Sequence, residues 1–235
     1  GKAGDLDSLL RVLSVLPRGI ELAIGGGNPL SHPRLEFLLE ELKGLGFISN
    51  ITVNQRHLGR FRELLYCLID RELVYGIGIF VSKRDNGDID DLIAKSANVV
   101  FHTIAGVTDF HLGEYLSGFP NSKILVLGYK RFGFGNDYYS PRVESGIAEW
   151  KHKVGGLIGR CVLSFDNLAI EQLGIKRLFT DDGWERFYMG NDFEFSMYVD
   201  AVKQEYAQTS RSSERVGFRK MGLLDYFNGR SQLSI

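Results

Sequence analysis

Three consecutive glycines, Gly25, Gly26 and Gly27, interrupt the segment "ELAIGGGNPLSHP" (residues 21 to 33) directly after an apolar run. Glycines at the end of a strand leave peptide N–H and C=O groups bare and let the backbone approach a ligand closely; a tight turn calls for the same residues. The spacing is not G-x-G-x-x-G and no G-K-[ST] follows, so neither a dinucleotide fingerprint nor a P-loop is present. Three histidines, His32, His57 and His102, follow or end successive apolar runs, a placement suited to a metal-dependent barrel hydrolase, yet no Asp or Glu partner stands at ligand spacing. The two cysteines, Cys67 and Cys161, lie far apart within apolar patterns and read as buried thiols in a reducing compartment. Further polar candidates sit in expected loops: Lys130, Asp166 with Asn167, Tyr188, and Asn191 with Asp192. Each has a local alternative, with Lys130 a solvated charge, Asp166 the N-cap of "NLAIEQLG" and "GND" an ordinary turn.

These residues need elements to hold them, and the chain supplies a repeating unit. "DLDSLLRVLSVL" (5 to 16) places leucines at helical spacing behind Asp5 or Asp7 as N-cap. "GIELAIG" reads as a strand, and "HPRLEFLLEELKGLG" (32 to 46) as a helix burying Leu35, Leu38, Leu39 and Leu42 and stopping at Gly44 or Gly46. The alternation repeats, predicting strands near 20 to 25, 48 to 54, 74 to 81, 98 to 104, 123 to 129 and 160 to 164. Apolar strands separated by helices imply a parallel sheet covered by helices, an α/β fold and a partial β/α barrel. Residues 131 to 159 predict a long loop and an amphipathic helix, and the alternating "FEFSMYVDAV" of the tail predicts a strand or hairpin. We read residues 1 to 174 as the barrel core and 175 to 235 as a C-terminal extension packing on it. With 28 basic and 29 acidic residues among 235, the net charge of -1 points to no nucleic-acid or membrane partner. No apolar run is long enough to span a bilayer and the N-terminus carries no targeting pattern, so the expected location is cytoplasmic.

A resemblance sharpens the glycine turn. "IGGGNPLSHPRLEFLLEELKGLGFISNITVNQ" resembles the second strand, helix and third strand of radical S-adenosylmethionine (radical SAM) enzymes. Their pattern there is Gly-Gly-Glu-Pro-Leu, a His-Pro, a helix ending LK-x-x-G and a strand ending Thr-Asn. Here Gly26, Gly27, Asn28, Pro29 and Leu30 stand at the motif, His32 and Pro33 follow, and Asn54 ends the next strand. The resemblance implies that the Gly26 to Asn28 backbone and the Asn28 side chain hold the amino group of the SAM methionine. Asn28 replaces the usual Glu and so lacks its full charge toward an ammonium. "HTIAGVTD" (102 to 109) is similar to the family's Gly-x-Ile-x-Gly-x-x-Glu element, with His102 for the first Gly, Ile104 and Gly106 in place, and Asp109 for Glu. That match implies Ile104 packing on adenine, and Ser82 falls where the family places a polar group on the ribose or carboxylate.

The resemblance also implies a four-iron four-sulfur (4Fe-4S) cluster, an electron donor, and reductive cleavage of SAM to a 5′-deoxyadenosyl radical that abstracts hydrogen from a substrate. The substrate class stays open among peptide, nucleotide and small metabolite, with Lys130, Asp166, Asn167, Tyr188, Asn191 and Asp192 as its candidate contacts. The family's Cys-x-x-x-Cys-x-x-Cys triplet is absent from this chain, whose opening "GKAGDLDSLLRVL" looks like the segment after the cluster loop. The expectation is that the first strand and cluster loop lie upstream of residue 1 and that the chain is inactive by itself. The alternative is a protein that has lost the cluster and keeps the fold for binding.

Overall fold

The computed structural model describes residues 4–84, 87–132 and 134–231. Helix α1 (Leu6–Leu13) starts where Asp5 accepts a hydrogen bond from the Ser8 amide at 3.1 Å, leading to strand β1 (Glu21–Ile24). After the glycine turn a short 3-10 turn, Pro29–Ser31, intervenes, so α2 (Leu35–Leu45) begins three residues later than its leucine spacing suggested. It stops at Gly46, whose φ of 85° lets its N–H return to the Leu42 carbonyl. Then follow β2 (Ile48–Asn54), α3 (Arg62–Asp70), β3 (Gly76–Phe80), α4 (Asp88–Lys95), β4 (Val99–Ile104), α5 (Phe110–Leu116) and β5 (Lys123–Leu127). The irregular stretch resolves into a short α6 (Phe134–Asp137) and a long α7 (Pro141–Lys153), followed by β6 (Val162–Phe165), α8 (Asn167–Leu173) and α9 (Asp181–Phe187). In the tail, β7 (Tyr198–Asp200), β8 (Glu205–Ala207), β9 (Val216–Gly217) and α10 (Leu223–Ser231) complete the order.

All six predicted strands form, and they make one parallel sheet in the sequential order β1-β2-β3-β4-β5-β6, with β1 and β6 as its edges. The register from β2 onward sets Val53 beside Ile79, Ile79 beside Phe101, and Phe101 beside Ile124. None of Ile51, Val53, Ile77, Ile79, Phe101, Ile124 or Val126 is more than 1% exposed. Buried leucines and isoleucines of the intervening helices, among them Leu65, Leu68, Ile89, Leu92 and Leu116, complete that layer. Alternation then puts Thr52, Asn54, Phe80, Val100, His102 and Leu125 on the opposite face, where each is only half-buried.

Chain contacts divide the molecule into two compact units. The larger comprises Ile24–Leu30 and Asn50–Tyr188. There α7 is anchored by Trp150, fully buried, with its ring edge-on to Phe110 at 5.1 Å and its Nε1 donating to the Thr108 carbonyl at 2.7 Å. The smaller comprises Gly1–Ala23, Ser31–Ser49 and Met189–Ile235. In it Arg34 pairs with Asp7 at 3.0 Å, and Gln204 Nε2 donates to Asp5 at 2.9 Å. The antiparallel sheet β7-β8-β9 packs its Tyr206 against Tyr226 of α10, which also meets Phe193. Of the alternating tail segment only 198–200 becomes strand, because Phe193 takes a φ of 73° and turns the chain before it. Both cysteines are free thiols and half-buried, less enclosed than their apolar surroundings in sequence suggested. Among the described residues no helix is long and apolar enough to cross a membrane.

The Trp150 contact is separable into ring and hydrogen bond. Trp150→Phe keeps an aromatic ring beside Phe110 but strands the Thr108 carbonyl, and the expected loss is about 2 kcal/mol of unfolding free energy, measured by urea denaturation. A loss no greater than that of a surface substitution would assign α7's anchoring to the ring alone.

Candidate functional site

Parallel strands bring their C-terminal ends to one edge, and the glycine turn, Asn54, Ser82, Ile104, Lys130 and Asp166 lie at or just after those ends, whereas Tyr188 follows α9. The turn after β1 is exposed, with φ of 89° at Gly26 and 54° at Gly27, both in the left-handed region that glycine tolerates. A Cβ built on Gly25, Gly26 or Gly27 meets no heavy atom within 4 Å, so the space beside the turn is open. Pro29 and Leu30 are buried and seat the turn, while Asn28 is half-buried between them and the glycines.

At the end of β2 the Asn54 side chain accepts from the Arg56 amide at 3.1 Å and so caps the following 3-10 turn, Gln55–His57. Gln55, only 5% exposed, accepts the Ser82 amide on its Oε1 at 3.3 Å and ties the ends of β2 and β3 together. Ser82 itself is exposed. Pairing register sets Asn54 beside Phe80, Phe80 beside His102, His102 beside Leu125, and Leu125 beside Ser164. One row further toward the C-terminal edge, Ile104 pairs with Leu127. Asn54, His102 and Ile104 therefore share one sheet face.

His102 has an unusual seat. A Cβ at Gly78 would lie 2.6 Å from its Cε1 and Nε2, so the imidazole lies over a gap that only glycine leaves. The Phe80 ring meets it edge-on at 5.3 Å. Burial lowers its pKa from 6.5 to about 4, which keeps the ring neutral at physiological pH. Gly78, Phe80 and Gln55 were not among the residues singled out from sequence. The available signal was the glycine in the middle of "GIGIF", since glycine weakens a strand unless another group needs its space.

The remaining candidates have visible local roles. Asp166 Oδ1 accepts from the Ala169 amide at 2.8 Å and the Gly128 amide at 2.9 Å, capping α8 and fixing the end of β5. Asn167 is the first residue of α8, and Lys130 is exposed in the loop after β5. Tyr188 stacks on Trp184 with centroids 4.6 Å apart. In the smaller unit Asp192 pairs with Arg211 at 2.9 Å, and Asn191 donates to Glu194 at 2.8 Å. His32 accepts from the Arg34 amide at 3.1 Å, and the His57 ring meets Arg56 at 3.2 Å. Burial foremost, then the charges of Arg56 and Arg60, lower the His57 pKa. Among the described residues no group of three His, Cys, Asp or Glu is placed to hold a metal, which leaves the three histidines without a common centre. Cys67 belongs to α3 and Cys161 lies beside β6, where burial raises its pKa; they do not fit an iron–sulfur cluster.

This parallel sheet with helices between its strands is the fold found in radical SAM enzymes. Two structures of SuiB from Streptococcus suis share it across 97% of this chain, one bound to its precursor peptide SuiA (TM-score 0.59, 12% identity) and one bound to S-adenosylmethionine (TM-score 0.61, 11% identity). The chain spans 58% and 59% of those SuiB chains, and the likeness is one of fold. No family model and no curated protein matches the sequence.

The His102 shift carries a sign. An imidazole whose folded pKa lies below its unfolded value favours folding while neutral. Its contribution is full above pH 6.5 and is lost as pH falls toward 4. The gross effect is on the order of 3 kcal/mol. Urea denaturation at pH 7 and pH 4.5 should show a smaller loss of stability in His102→Asn than in the parent; equal losses would mean that the ring is solvated.

Proposed function

We propose that this chain is the SAM-binding core of a radical SAM-type enzyme. In this reading the backbone of Gly26, Gly27 and Asn28 takes the methionyl amino group, with the Asn28 amide oxygen as an added acceptor and Pro29 bracing the turn. Asn54 and Ser82 serve the ribose or carboxylate, and Ile104 packs on the adenine. The observation that carries it is the exposed turn with open space beside all three glycines, set at the C-terminal edge of a parallel sheet. The SuiB structure bound to S-adenosylmethionine supports the ligand, because the same fold binds it there.

Bound SAM supplies hydrogen-abstraction chemistry through its 5′-deoxyadenosyl group. This chain's residues bind and orient it, and the sealed face of the sheet gives them a rigid backing. No electron-transfer step is assigned to Cys67 or Cys161, and an electron donor and cluster belong to the proposal only through the resemblance. A peptide is the favoured substrate class, on the strength of the SuiB structure with its precursor peptide. Lys130, Asp166, Asn167 and Tyr188 of the larger unit are its candidate contacts. Asp166 would serve through the loop it fixes.

The test uses the turn. Gly25 lies outside the left-handed region and a Cβ there meets no atom within 4 Å, so Gly25→Val should leave the free protein folded. Gly27→Ala adds a backbone cost of about 1 kcal/mol at its left-handed φ. Calorimetric titration with SAM should show affinity falling about tenfold in Gly25→Val. Asn28→Glu should tighten binding by restoring a carboxylate opposite the ammonium. Unchanged affinity in all three, with circular dichroism intact, would reduce the glycines to a turn in the chain.

A further inference from the structure

Resting on the SAM reading above, we propose that His102 is a substrate-positioning residue of the open sheet face, its imidazole hydrogen-bonding an amide or hydroxyl group of the substrate beside Phe80. Three observations on the larger unit converge on it. The first is steric. A glycine inside a strand costs stability, and at position 78 a Cβ would stand 2.6 Å from the imidazole, so the ring keeps its present place only while residue 78 is glycine. Gly78 thus gives up packing to hold the His102 ring against the sheet.

The second is the absence of a protein partner. Among the described residues neither ring nitrogen of His102 makes a hydrogen bond, and the ring lies against Phe80 and over Gly78. Asn54 and Asp166, by contrast, are engaged locally, the one capping a turn and the other a helix. An imidazole held in place for no internal hydrogen bond is available for an external one.

The third is position. His102 lies two residues before Ile104 on the same face, about 7 Å along the strand, and shares its row with Asn54, so a substrate group held there would adjoin the SAM placed on Asn54 and Ile104. Its row reads Asn54, Phe80, His102, Leu125 and Ser164, without a charged residue. Burial keeps the imidazole neutral at pH 7, with one nitrogen a donor and the other an acceptor. A neutral ring between Phe80 and Leu125 suits an uncharged partner, because a charged one would lose its hydration without gaining a counter-charge. A peptide amide, like a hydroxyl, offers such a ring both a donor and an acceptor without charge.

The experiment uses N-methylacetamide as an amide probe, with sodium acetate and tetramethylammonium chloride as charged controls, added at pH 7 to the chain with and without SAM. The readout is the pair of His102 ring nitrogen resonances, assigned by their loss in His102→Phe. The expected result is a saturable shift with N-methylacetamide alone. In His102→Phe, probe binding followed through the Phe80 and Leu125 amides should be about tenfold weaker. Should that variant not fold, His102→Asn replaces it and should retain part of the affinity through its own amide. No saturable shift, an equal response to the charged probes, or equal probe binding in the substituted chain would overturn the proposal. The parallel SAM titration keeps the two readings apart: a chain that answers the probe and ignores SAM refutes the cofactor reading alone.

Discussion

The alternation of side chains across a parallel register is the constraint from which the candidate site follows. Because Val53, Ile79, Phe101 and Ile124 line up on one face and are sealed there, Asn54, Phe80, His102 and Leu125 must line up on the other. A slip of one residue in any strand would expose an isoleucine or phenylalanine and bury a histidine or asparagine, at a cost no loop contact could offset. The hydrophobic layer therefore does more than hold the sheet together. It fixes which atoms face the open side and at what spacing, so that loops at the C-terminal edge need only supply local caps such as Asn54 to Arg56 and Asp166 to Ala169.

Much of this was legible in the sequence. Strands that are apolar on both faces, spaced by helical leucine stripes, predicted all six strands, and capping chemistry at Asp5 and Asp166 fell where the residue types suggested. Less legible were features that depend on two strands meeting. Nothing in "GIGIFVS" alone says that Gly78 makes room for a ring from "NVVFHTIA", since register is a property of the pair. Gln55 likewise reads as a loop polar residue, and becomes a tie between strand ends only when Ser82 arrives beside it. In the tail, alternation promised a longer strand at 193 to 202 than forms, because the left-handed Phe193 is fixed by its aromatic neighbours Tyr226 and Phe227 rather than by local pattern.

The resemblance and the fold speak to different parts of the molecule. Motif residues concentrate at two strand ends, around Gly26 to Asn28 and around His102 to Ile104, whereas the likeness to SuiB extends over nearly the whole chain at an identity too low to carry residue roles. Between those two ends the sheet lines up Asn54 and Phe80 beside His102.

The interlock of Gly78 and His102 also has a historical side. A histidine cannot arise at position 102 in its present orientation while residue 78 bears a side chain, whereas a glycine at 78 is tolerable, if weakening, beside a small residue at 102. The two positions are thereby coupled: the ring keeps its present orientation only while residue 78 lacks a side chain. Any lineage that later lost the histidine would be left with a mid-strand glycine serving no neighbour, a scar by which the former presence of the imidazole could be read from its partner strand.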